Sequence, residues 1–98
     1  MESTKEKLAK EKIEATWNAL KPHLARDAII VVDEQADLVE VGVQIAADNK
    51  QFVENCIKDQ TIRKPTQEDI ELWEQDQMKL FWMLIVQPFV LVQEPIDA

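Results

Sequence analysis

Glycine, cysteine and histidine each occur once in the 98 residues, and tyrosine not at all. Each scarcity excludes some chemistry. Phosphate-cradling loops of the P-loop or dinucleotide-binding kind need several glycines to bring backbone N–H groups against the ligand, and this chain has only Gly42. Cys56 has no partner for an internal disulfide, so a reducing, cytoplasmic setting is the natural one. One histidine and one cysteine are too few to cage a zinc ion within one chain. No resident metal or cofactor is expected.

Positive charge is also scarce. Eleven Lys and Arg stand against 19 Asp and Glu, for a formal charge of −8, which repels phosphate backbones and anionic lipid surfaces. The one basic cluster, Lys5, Lys7, Lys10 and Lys12, is interleaved with Glu6, Glu11 and Glu14 and reads as a solvated helix face. Neither nucleic acid nor membrane is an expected partner. The N-terminal "MESTKEKLAKEK" lacks the apolar stretch of a secretory signal. The longest apolar run, Leu80 to Val92, is broken by Gln87 and Pro88 and falls short of the ~20 residues of a membrane-spanning helix.

What is present is a 46% hydrophobic chain of ordinary single-domain length, without repeat, linker or low-complexity tract. Ser3 or Thr4 can cap a first helix, and Ala9, Ile13, Thr16, Trp17 and Leu20 recur at helical steps, which predicts helix to about Trp17. Asn18 can cap a second, with Pro22 in its first turn, ending near Ala25. Ala28 to Val32 reads as a buried strand. After the polar Asp33 to Asp37, Leu38 to Ala46 alternates, with Val39, Val41, Val43 and Ile45 on one face. That predicts the second strand of a hairpin, with Gly42 at a bulge or a close contact. Asp48 or Asn49 caps a helix with the stripe Phe52, Val53, Cys56 and Ile57, and Thr66 with Asp69 caps another bearing Ile70 and Trp73. The last segment, "KLFWMLIVQPFVLVQE", is apolar without alternation and predicts one long strand covered on both faces, bent or edged at Pro88. The expected architecture is a single α+β domain over residues 1–98, order ααββααβ, with a small antiparallel sheet of about three strands. In it the last strand pairs with the first hairpin strand.

Three groups of residues invite a chemical reading. In "HLARD", His23 suits proton transfer, Arg26 at i+3 could steady an anion, and Asp27 could orient the ring. The same residues also suit a helix end, where cationic groups meet the negative end of the dipole. If they form a polar site, Gln87 and Gln93 are its expected partners, because glutamines in an apolar strand need hydrogen bonds. Asp33, Glu34, Asp37 and Glu40 lack the glycine and oxygen spacing of a calcium loop and read as a solvated tip. Glu68, Asp69, Glu71, Glu74 and Asp76 read as a solvated acidic face, or else as an electrostatic docking surface. RNA-binding sheets need basic surroundings that these strands lack.

The stretches "LKPHLARDAIIVVDEQADLVEVGVQIAADN" and "IVQPFVLVQE" resemble a family of small bacterial proteins of unknown function, some ninety to a hundred residues long. The resemblance rests on His23 and Arg26 before an apolar strand, on "DLVEVG" and on the final "QP-aromatic-VLVQ", and it runs from the first helix to Glu94. It implies that residues 1–98 are a whole protein, and it carries over no activity and no catalytic residue.

The leading expectation is a non-enzymatic interaction module, a homo-oligomer and most simply a dimer. It would join through the sheet at Phe81, Trp82, Leu84, Phe89 and Leu91, since the last strand is too apolar for one small core. The alternative is a small enzyme or ligand-binding protein with a polar site at His23, Arg26 and Asp27. A third reading, an acidic decoy for a basic protein, rests on the charge alone.

Overall fold

The computed structural model describes residues 3–95. Its elements in chain order are α1 (Thr4–Glu11), β1 (Ile13–Thr16), α2 (Trp17–Ala25), β2 (Ile29–Val32), α3 (Leu38–Ala46), α4 (Lys50–Lys58), β3 (Ile62–Arg63), α5 (Gln67–Glu74), β4 (Leu80–Val86) and β5 (Phe89–Gln93). The fold is α+β, but among the described residues the sheet is mixed and has five strands, in the order β1-β4-β5-β2-β3. The last strand does pair with β2, and it does so in parallel, with Ile29 opposite Val90 and Val31 opposite Val92.

Three segments differ from the sequence expectation. Leu38–Ala46 is a helix, capped by Asp37, whose carboxylate accepts from the amides of Val39 and Glu40. The alternation of its valines is also compatible with the helical stripe Leu38, Val41, Gly42 and Ile45, and a capped start decides between them. The final apolar segment is two strands: β4 and β5 form an antiparallel hairpin with Val86 opposite Phe89, so Gln87 and Pro88 make the turn. The helical stripe through Ile13 breaks at Lys12, where the chain becomes extended, and β1 pairs along β4 with Ala15 opposite Phe81. Thr16 rather than Asn18 then caps α2, accepting from the Ala19 amide at 3.2 Å.

Helices cover both sides of this sheet. Val32, Leu84, Val86, Leu91 and Ile62 pack under α1, α3 and α4, with Leu8, Leu38, Val41 and Cys56. Ile29, Val31, Phe81, Val90 and Val92 pack under α2 and α5, with Trp17, Leu20 and Trp73. Within that second layer the rings of Trp17 and Trp73 lie 5.0 Å apart, and Trp73 meets Phe81 edge-on at 5.2 Å. Of the five residues expected at a subunit interface, Phe81, Leu84 and Leu91 are therefore consumed by the chain's own core. Among the described residues, five helices rather than four supply the cover. Trp82 and Phe89 remain partly exposed.

Candidate functional site

The C-terminus of α2 is built as its sequence implies. Asp27 takes φ 55°, a left-handed conformation that aspartate tolerates better than most residues, and its amide returns to the Leu24 carbonyl at 2.9 Å. The carbonyl of His23 accepts from the amides of both Arg26 and Ala28. The side chains of His23 and Arg26 meet, with the guanidinium donating to Nδ1 of the ring. Asp27 forms an ion pair with Lys64, which follows β3. His23, Arg26, Asp27 and Lys64 thus form a polar corner where α2 enters the sheet.

The two glutamines stand apart. Because Val90 lies opposite Ile29, Gln87 turns over at the Asp27 end of β5, while Gln93 lies at the opposite end. Gln93 is buried and donates to the carbonyls of Asp33 at 2.8 Å and Ala36 at 2.7 Å. It holds the turn between β2 and α3 and satisfies two carbonyls there. The requirement that a buried glutamine find partners was legible in the sequence; which partners depended on the register.

The polar corner adjoins a groove that no single stretch of sequence announces. Ile30 of β2, Ile45 of α3, Val53 and Ile57 of α4, Ile62 of β3 and Phe89 of β5 enclose about 620 Å³. This lies within the range of small-molecule sites. Asp48, Lys50, Glu54, Arg63 and Lys64 form its rim. Ile57 is 58% and Phe89 37% exposed, so apolar surface faces solvent here. On α4, capped by Asn49, Val53 and Ile57 lie four residues apart and line the groove, while Cys56 turns inward. Burial and then the nearby Asp59 push the Cys56 thiol up, which keeps it protonated.

A second, smaller hollow of about 220 Å³ lies at the other end of β2, among Asp33, Glu34, Arg63, Asp69, Trp73 and Glu94. Its groups are engaged with one another: Arg63 pairs with Asp69, and Trp73 Nε1 donates to Glu94 at 3.3 Å. Burial would raise the Asp69 carboxyl, but hydrogen bonds from Arg63 and within the Thr66 cap outweigh it and hold it below the usual carboxylate range. Among the described residues no three His, Cys, Asp or Glu side chains gather as a metal site. No helix among them is long and apolar enough to cross a membrane.

Residues 3–94 match the family described as "Protein of unknown function (DUF2288)". The chain belongs to this family. The resemblance carried by "HLARD", "DLVEVG" and "QPFVLVQ" therefore stands, and the family's description assigns no activity. The fold is also that of a chain whose structure is titled "NMR solution structure of PA1075 from Pseudomonas Aeruginosa". That chain is 30% identical, with a TM-score of 0.80, and the match covers 93% of this chain and 83% of that one. No curated protein matches.

Proposed function

We propose that this member of the family is a cytoplasmic, non-enzymatic binding module whose working surface is the groove between α4, β2, β3 and the start of β5. Its ligand would have an apolar body and an anionic end. One observation carries the reading: in a chain of net charge −8, an exposed apolar groove is rimmed by Lys50, Arg63 and Lys64, of which Arg63 and Lys64 pair with Asp69 and Asp27, beside the rim acids Asp48 and Glu54. The apolar walls favour a hydrocarbon, and a ligand carboxylate can meet Lys50 or take the place of Asp27 on Lys64, which a neutral head does less well. The polar groups elsewhere have structural duties. Gln93 braces a turn, Asp69 closes the Thr66 capping box of α5, and the lone thiol is buried, which pushes its pKa up.

The test is a titration of the 15N-labelled protein with decanoate below its micelle threshold, with decanol as the neutral control. Roughly twelve heavy atoms at about 0.3 kcal/mol each give a Kd of a few millimolar. Amide shifts should concentrate at Ile30, Val53, Ile57 and Phe89, and decanol should bind more weakly. Ile57→Lys, a change at an exposed position, should abolish the shifts without altering the melting curve. Shifts scattered over the surface, or unchanged in Ile57→Lys, would sink the reading.

A further inference from the structure

We infer that a second copy of this chain adds to the sheet at β1, strand against strand, about a two-fold axis at Ile13. The order of the sheet leaves β1 paired on one side only, with β4. The Trp17 amide donates to the Lys79 carbonyl at 3.0 Å, which continues the ladder that sets Ala15 opposite Phe81 and Ile13 opposite Met83. In an antiparallel ladder the hydrogen-bonding direction alternates, so Ile13, Ala15 and Trp17 turn toward β4 while Glu14 and Thr16 turn their main-chain groups outward. Lys12, extended at φ −69° and ψ 118°, continues the strand, and its carbonyl faces outward with them. An edge of this kind is a template for another strand.

The side chains choose the register. With the axis at Ile13, Lys12 of each copy lies opposite Glu14 of the other, and Ile13 faces its own counterpart. Two opposite-charge pairs then flank an apolar contact. With the axis at Glu14, the two glutamates would instead face each other directly, which is unfavourable. The Lys12 amide is already bound to the Leu8 carbonyl at 3.1 Å, so the main-chain bonds across the axis run from each Glu14 amide to the Lys12 carbonyl of the other copy. Parity agrees: Ile13 falls at a non-hydrogen-bonded position, where facing side chains come closest. Ile13 is 49% exposed, and Ile85, which projects from the same face of β4, is 40% exposed. Edge pairing brings the corresponding pair of the second copy beside them. The interface is isologous and closed, which gives a dimer and not a filament.

Charge exchange tests both the partner and the register. Sedimentation velocity from micromolar to millimolar concentration should show reversible dimerisation of the wild-type chain. Lys12→Glu alone and Glu14→Lys alone should each weaken it by about tenfold or more, because each places like charges opposite. The double variant Lys12→Glu, Glu14→Lys should restore it. Amide exchange at Glu14 should slow as concentration rises, whereas the groove residue Ile57 keeps its rate. A wild-type monomer throughout would overturn the proposal, as would single variants that dimerise like the wild type or a double variant that stays weakened. The decanoate titration stands apart from all of these outcomes, because the groove and β1 lie at different places on the sheet.

Discussion

Asp27 does two things at one backbone position. Its left-handed conformation ends α2, and its carboxylate neutralises Lys64 at the rim of the apolar groove. Both partners are well exposed, so the pair itself adds little to stability, about 0.2–1 kcal/mol. Its larger effect falls on the groove, because a paired ammonium is a poorer receptor for a ligand carboxylate. Asp27→Asn keeps a residue that tolerates the left-handed region and removes only the charge. Decanoate should then bind more tightly, by a factor of roughly 1.5 to 5 if the released interaction is transferred to the ligand. The same titration reads it, and an unchanged or weaker affinity would show that Lys64 takes no part. The neighbouring pair supplies a contrast: His23 and Arg26 bond to each other, so Arg26→Ala is expected to leave decanoate affinity within error.

Gly42 shows at the level of elements why α3 lies where it does. A Cβ built there would stand 2.7 Å from a methyl of Leu84, at the middle of β4 and wholly buried. The helix thus rests directly on the strand, and a larger residue would lever it away. Gly42→Ala gains about 1 kcal/mol in helix propensity but overpacks a closed contact at about 1–3 kcal/mol. The expected net is a loss of up to about 2 kcal/mol, read as a lower urea midpoint, and a gain would mean that Leu84 has room to rotate. The close contact at Gly42 was legible from a single glycine among valines; the type of element was not, because Val39, Val41, Val43 and Ile45 satisfy a period of two while Leu38, Val41, Gly42 and Ile45 satisfy the helical one. The hairpin at Gln87 and Pro88 was hidden for a different reason. Tight hairpin turns are usually announced by Asn-Gly or Gly pairs, and this turn contains neither. The caps at Ser3, Asn49 and Thr66 and the parentage of β2 and β5 were readable, since they depend on local chemistry and on which segments are apolar on both faces. The groove was not, because its walls come from five elements scattered between Ile30 and Phe89.

Across the whole molecule, carboxylates tie segments distant in sequence together. Asp69 joins α5 to β3 through Arg63 and closes the Thr66 capping box, while Glu74 receives Trp17 Nε1 at 3.0 Å and Lys21 at 3.1 Å, joining α5 to α2. The hydrogen bond from Trp17, then that from Lys21, holds the Glu74 carboxyl below its usual range, and Asp69 is lowered as well. A carboxyl whose pKa is lower folded than unfolded binds fewer protons in the native state between the two values. Its stabilisation is therefore complete above the unfolded value, about 4, and is lost as pH falls through the native one. Acid should accordingly release α5 from both neighbours, separating the Trp17, Trp73 and Phe81 rings. Relief of repulsion acts the other way, since protonation reduces the charge of −8, but it is spread over a surface where exposed charges are screened. The local bonds should win. Urea midpoints should be level from pH 7 to about pH 5 and fall below about pH 4, with tryptophan fluorescence reporting the loss of the ring cluster. Asp69→Asn should cost about 1 kcal/mol at pH 7 and flatten the acid limb. A variant with an acid limb as steep as the wild type's would shift the cause of acid sensitivity away from Asp69 and onto Glu74 and the remaining carboxylates.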